Sequence, residues 1–257
     1  MVPPFGWIMR RKAPLAIATG LVAMATIGPW TAFETFAAAD SSTRTTQIIE
    51  FYTSDACANC LAADKVVSAL SDDAGVIVLS FHVSYWDYLG WKDKFGLAAA
   101  AALQKAYAKR WNTADIFTPQ VIVDGEQSGT GASAPELRQL MAMAPKIRRL
   151  EIVQGKANLR IILPHMDGAK GATVWVAAFD RRRIVRVERG ENAHRVVTET
   201  DIVRSITPIR RVTGVPVDIT VPTEMVGKHR GVAAFLQCGK GGKIIAAGSL
   251  VLPASRS

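Results

Sequence analysis

Phe51-Tyr52-Thr53-Ser54-Asp55-Ala56-Cys57-Ala58-Asn59-Cys60-Leu61 joins an apolar, aromatic run to a short polar turn and then to two cysteines three positions apart. Upstream, Gln47-Ile48-Ile49-Glu50-Phe51-Tyr52 has the near-continuous apolar character of a buried strand. Downstream, Cys60, Ala63, Val67 and Leu70 repeat at helical spacing, which predicts a helix from Cys57 to Leu70. The stretch therefore reads as a strand that delivers a thiol pair to a helix N-terminus. Unpaired backbone N–H groups and the helix dipole there favour a thiolate on Cys57, the form that attacks disulfides or binds soft metals.

Working outward, Val76 to Val83 predicts a second buried strand, and a strand–helix–strand unit of this length implies a parallel pair. The aromatic segment Tyr85 to Phe95 follows, then an alanine-rich helix from Leu97 to Trp111. Thr118-Pro119 precedes the strand Gln120 to Val123. Asp124-Gly125 is a hairpin signal, so an antiparallel strand should run on to Thr130. Ser133 and Pro135 mark the start of a helix ending at Ala144. Beyond Lys146-Ile147-Arg148-Arg149, short strand-like runs recur to the C-terminus (150–153, 157–163, 173–179, 184–188, 195–198, 215–221, 231–237 and 243–252), separated by turn residues. This spacing predicts an antiparallel β-sandwich, with Arg181-Arg182-Arg183 in a hairpin turn.

Before all of this, Arg10-Arg11-Lys12, an apolar run from Ala13 to Ile27 and the small residues Ala37-Ala38-Ala39 form the pattern of a secretory signal. Gly20, Gly28, Pro29 and Glu34 interrupt the run short of the ~20 apolar residues a membrane span requires. The expectation is export, cleavage near Ala39 and no transmembrane span in the mature protein, which would lie in a periplasmic or secreted compartment where disulfides persist.

Of the formal charge of +9, the cysteine-bearing stretch 40–145 contributes −4, from 8 basic and 12 acidic side chains. The stretch 146–257 contributes +11, from 20 basic and 9 acidic ones. The C-terminal part could thus meet an anionic partner, although arginines scattered along strands point to a solvated face and to no specific nucleic-acid site.

For Cys57 and Cys60, the residue types narrow the chemistry. A c-type haem site needs histidine directly after the second cysteine, where Leu61 stands. A zinc site needs two further ligands, and the third cysteine, Cys238, lies far outside ligand spacing. A redox-active pair, a copper(I) site and an inert local disulfide remain. In the first reading Cys57 attacks and Cys60 resolves the mixed disulfide, no cofactor is needed, and the partners are protein thiols or disulfides. Ala58-Asn59 adds no positive charge and Asp55 opposes a thiolate, so a modest lowering of the Cys57 pKa is expected. His82, at the end of the second strand, is a candidate proton donor or copper(I) ligand, or else a core histidine. Trp86 and Trp91 could wall a groove for a partner peptide, with Asp87 and Asp93 fixing the shape of the segment. The alternative is ordinary core packing. Cys238 reads as a buried free thiol, with intermolecular pairing as the alternative.

The order β-α-β-α-β-β-α, the Cys-x-x-Cys at the first strand-to-helix junction and the Thr118-Pro119 before the third strand resemble the thioredoxin fold. More narrowly, Tyr52-Thr53-Ser54, Cys57-x-x-Cys60, Ala63-Asp64, Phe81-His82-Val83, Tyr85 to Asp93 and Thr118-Pro119-Gln120, with a weaker match through Arg189-Gly190-Glu191-Asn192-Ala193, resemble the exported proteins of domain-of-unknown-function family 1223. The resemblance implies a cis Thr118–Pro119 bond in a loop facing the thiol pair and offering substrate main chain a hydrogen-bonding edge. The expected organisation is a signal segment over 1–39, an α/β thioredoxin-like domain over 40–146 and a β-sandwich domain over 147–257. The expected function is thiol–disulfide exchange, with a non-enzymatic, copper(I)-binding or structural role as the alternative.

Overall fold

The computed structural model describes residues 45–163, 165–213 and 217–253; the predicted signal segment, 1–39, lies outside the described residues. Strand β1 (Thr45–Thr53) is buried at every position but its first, as expected of an apolar run covered on both faces. It leads into α1 (Cys60–Ser68), β2 (Val76–His82), α2 (Ala98–Trp111), β3 (Gln120–Val123), β4 (Gln127–Gly129) and α3 (Ala134–Met143). β1 and β2 pair in parallel, with Tyr52 opposite Phe81, and β1 and β3 pair antiparallel. The β3–β4 turn is made by Asp124 and Gly125, both at positive φ. The hydroxyl of Ser133 accepts the Glu136 N–H at the start of α3.

The remaining strands correct the predicted architecture of a thioredoxin-like domain followed by a separate sandwich. They are β5 (Ile147–Arg149), β6 (Glu151–Gln154), β7 (Asn158–Leu163), β8 (Thr173–Arg186), β9 (Val196–Arg211), β10 (Val217–Pro222), β11 (Gly231–Gln237) and β12 (Ile244–Val251). Most of them join β1 to β4 in one mixed nine-stranded sheet, ordered β2-β9-β8-β11-β12-β5-β1-β3-β4. Ser80 of β2 pairs with Ile202 of β9, Arg148 of β5 pairs with Ala246 of β12, and Ile147 of β5 pairs with Thr46 of β1. Because β2 also pairs with β1, the ladder returns on itself. Only β6, β7 and β10 form a second, three-stranded sheet. The physical reason is an edge problem: without β9 and β5, the outer edge of β2 and the start of β1 would carry unpaired backbone groups beside apolar faces.

This closure places the core. Ile48, Tyr52, Leu79 and Phe81 of the first strands pack with Ala177, Phe179, Val203, Ala233 and Phe235 of the later ones, against Tyr107 of α2. On the opposite face of β1–β3, Ile49, Phe51, Val78 and Val121 pack against Ala63 and Val67 of α1 and Leu137 of α3. The three-stranded sheet covers the other side of β8, β11 and β12 through Leu159, Ile161 and Ile219.

Arg181-Arg182-Arg183 is not a turn. It lies within β8, which pairs with β9 from Thr173↔Arg211 to Arg186↔Val196. The charges are accommodated without breaking the strand: Arg181 binds Asp201 and Asp72 at 2.6 Å each, and Arg183 binds Asp180 at 2.9 Å. The actual reversal, residues 187–195, sits at the end of a long ribbon that reaches the cysteine pair.

Candidate functional site

Cys57 and Cys60 form a disulfide with a Cα–Cα separation of 5.4 Å. The sequence predicts Cys57 as the first helical residue, but α1 begins at Cys60. The Cys57 N–H donates to the Ser54 carbonyl and the Cys60 N–H to the Cys57 carbonyl, so Cys57 occupies a tight turn before the helix. Both residues are covered, Cys57 at 4% exposure and Cys60 at 0%, while Ala58 and Asn59 between them are exposed.

The cover comes from far along the chain. The Asn192 side-chain amide donates to the carbonyls of Asp55 (2.9 Å) and Cys57 (3.0 Å), and the Ala58 N–H donates to Glu191 Oε2 at 3.2 Å. Asn192 is itself buried. Below this clasp, Ala56 and Trp91 pack with Val185 and Val187 of the ribbon. Gly190, at φ +80°, lets the loop cross 3.5 Å above the Trp91 Cβ, measured from where its own Cβ would stand. A side chain there would strain the turn through its positive φ.

Of the aromatic segment, Trp91 is buried, Trp86 and Phe95 are half-buried and Tyr88 is exposed. Asp87 accepts the Asp93 N–H and Asp93 accepts the Phe95 N–H, so these carboxylates do set the shape of the loop. The Trp86 indole donates to Thr118 Oγ1 at 2.7 Å. The Thr118–Pro119 bond is cis, with Thr118 half-buried and Pro119 buried. Among the described residues no hydrogen bond joins Thr118 or Pro119 to either cysteine. Trp86 is thus tied to Thr118, while Trp91 packs beneath the clasp.

His82 is fully buried and faces carboxylates, not sulfur. Its Nδ1 lies 2.8 Å from Asp93 Oδ2, and its Nε2 lies 3.5 Å from Glu199 Oε2. Asp93 Oδ2 also accepts the Asp55 N–H at 2.9 Å, which ties the histidine to the turn carrying the cysteines. Asp55 is buried too, and its side-chain oxygens have no hydrogen-bond donor. Burial, then the Asp93 charge, push the Asp55 carboxyl up to about 7. Burial and the neighbouring Glu199 raise Asp64, whose Oδ1 accepts the Thr53 hydroxyl at 3.0 Å. Desolvation opposes a charged His82, but Asp93 and Glu199 outweigh it and raise its pKa well above the usual imidazole value. Desolvation would raise Asp93, yet His82 and the N–H groups of Asp55 and Phe95 hold it low. Sequence reading gives His82, Asp55 and Asp93 separate roles, places Asp64 and Asn192 only within the family motifs, and does not single out Glu199. Asp93 shares its loop with the tryptophans, whereas Glu199 gives no local signal on a strand rich in polar residues.

A groove of about 980 Å³ runs beside the pair between α1 and the β8–β9 ribbon, lined by Ala58, Leu61, Asp64, Arg182, Arg195 and Thr198 among others. Cys238, the third cysteine, is free and half-buried, and desolvation raises its thiol pKa.

A family model described as "Protein of unknown function (DUF1223)" matches residues 48–237, a span that includes the cysteine pair, the aromatic segment and the clasp. No curated protein matches the chain significantly. Protein AGR_C_4864 from Agrobacterium tumefaciens, known from a crystal structure, is similar at 24% identity with a TM-score of 0.70, the match covering 82% of this chain and 96% of that one. HBP35 of Porphyromonas gingivalis is similar at 14% identity and a TM-score of 0.57, over 83% of this chain and 78% of that one. At these identities the likeness is one of fold.

Proposed function

The chain belongs to the DUF1223 family, whose description assigns no function, and we propose from the site itself that the protein is an exported thiol–disulfide exchange protein working through Cys57 and Cys60. The observation that carries this reading is the disulfide at a strand-to-helix turn, with its exposed Ala58-Asn59 link opening onto a groove. The N-terminal targeting pattern supports an oxidising compartment, in which such a disulfide persists.

In the exchange, a partner thiolate attacks Cys57 Sγ, the less covered sulfur. The Cys57–Cys60 bond breaks and Cys60 leaves as a thiolate that takes up a proton. A second partner thiol then attacks the mixed disulfide at the partner's own sulfur, releasing Cys57 and leaving the partner oxidised by two electrons. Glu191 and Asn192 hold the turn that carries the buried pair, and in this reading they move before attack. Arg182 and Arg195 on the groove would favour an acidic segment on the partner.

Burial of the two sulfurs favours one second reading, a structural disulfide. Equilibration in glutathione buffers, read by mass spectrometry after acid quenching, decides between them. Exchange predicts a measurable reduction potential for the native protein and a trapped mixed disulfide in Cys60→Ser. A pair that is reduced only on denaturation, with no trapping, sinks the exchange reading.

A further inference from the structure

We infer that His82, Asp55 and Glu199 form a binding site for one divalent first-row transition cation such as zinc, separate from the thiols. Four carboxyl groups, those of Asp55, Asp64, Asp93 and Glu199, surround a single imidazole. Among the described residues no lysine or arginine pairs with any of them. Crowded acids alone would not define a site, but the donor atoms here are unspent. His82 is 0% exposed and its Nε2 has no hydrogen-bond partner; Asp55 is 1% exposed and both its oxygens lack one. Buried polar atoms are ordinarily paired, so three orphans converging in one place need an explanation.

The geometry supplies one. Asp93 takes the Nδ1 side of the ring at 2.8 Å, so a cation that displaces the Nε2 proton would meet the carboxylate–histidine–metal arrangement. Nε2 and Glu199 Oε2 stand 3.5 Å apart, long for a hydrogen bond. Two ligands of a tetrahedral ion bound at roughly 2.0–2.2 Å are about 3.3–3.6 Å apart. The Asp55 carboxyl neighbours Glu199, and Asp55, His82 and the ring-orienting Asp93 have donor atoms within 4.8 Å of one another. Imidazole nitrogen with carboxylate oxygens suits zinc and its first-row neighbours, not copper(I), which prefers thiolates. Asp64 borders both the cluster and the groove beside α1, so the groove is the route by which an ion would arrive.

The test is titration of the metal-free mature protein with zinc, read by calorimetry and by the shift of the thermal transition. Expected are a 1:1 stoichiometry and a melting temperature that rises with zinc. Binding should weaken at least about 100-fold in Asp55→Asn and in Glu199→Gln, and by about 10–100-fold in Asp93→Asn, which only orients the ring. Should Glu199→Gln fail to fold, Glu199→Asp withdraws the carboxylate by one methylene and should still weaken binding. The Cys57→Ser/Cys60→Ser double variant should bind zinc as the parent does. Absence of saturable binding overturns the proposal, as does binding that survives Asp55→Asn and Glu199→Gln but disappears with the cysteines.

Discussion

Glu50 shows how a residue can stand in a legible strand while its own state is not legible. It stands in an apolar run where a solvated charge would be unremarkable, but it is 1% exposed. Tyr107 and Tyr52 donate hydroxyl hydrogen bonds to it, and Gln237 donates to the Tyr107 oxygen. Desolvation is the largest influence and raises its pKa from 4.5 to about 7. A carboxyl whose folded pKa exceeds its unfolded one contributes stability that is complete below the unfolded value and lost as pH rises through the folded one. The window is therefore pH 4.5 to about 7, and the loss is on the order of 3 kcal/mol. Urea unfolding should show Glu50→Gln gaining on the parent by about that amount at pH 8 relative to pH 4.5, and parallel pH profiles would contradict the assignment. Asn192 is the complementary case, because its amide spans two carbonyls of the cysteine turn. Two hydrogen bonds at about 0.5–1.5 kcal/mol each imply that Asn192→Ala speeds reduction of the native disulfide by dithiothreitol roughly 10- to 100-fold. An unchanged rate would mean that attack does not require the clasp to open.

At the scale of elements, legibility followed local pattern. The run Gly231 to Gln237 is a strand in both sequence and structure because it is apolar at every interior position and lies between turn residues. The Asp124-Gly125 turn and the Ser133 cap were equally legible, since each depends on backbone chemistry within four residues. β8 was not. Asp180-Arg181-Arg182-Arg183 looks like punctuation, but distant acids neutralise it, and the strand runs on to Arg186. That error broke one ribbon into two strands and hid its function as a cover. The candidate site divides in the same way: spacing reveals Cys57 and Cys60, while Glu199 and Asn192 acquire meaning only when the ribbon brings them more than a hundred residues back along the chain to the cysteine turn. Trp86 and Trp91 fall between these cases. Their number signals packing, but only the structure separates Trp86, bonded to Thr118, from Trp91, packed on Ala56, Val185 and Val187.

At the scale of the whole molecule, the single sheet changes what unfolding should look like. Two independent domains would unfold as two units, each with its own core. Here Tyr52 and Phe81 share a core with Phe179 and Phe235, and the backbone ladder crosses from β2 to β9 and from β5 to β12. Neither half can keep its apolar face from water once the other has melted. Two indoles report on the two halves: Trp111 stacks on Tyr107 at 5.2 Å, and Trp175 stacks on Phe235 at 6.5 Å. In variants in which phenylalanine replaces every tryptophan but one of these, guanidinium unfolding followed by fluorescence should give coincident midpoints, matching far-ultraviolet circular dichroism. Midpoints separated by more than the fitting error would show that the halves retain separate stabilities despite the shared sheet. Coincidence has a consequence for the site as well. The clasp is carried by the later strands and the cysteines by the earlier ones, so global unfolding exposes the disulfide in one step. The proposed exchange in the native state would then proceed through local opening of residues 187–195, and its rate should be independent of denaturant well below the midpoint.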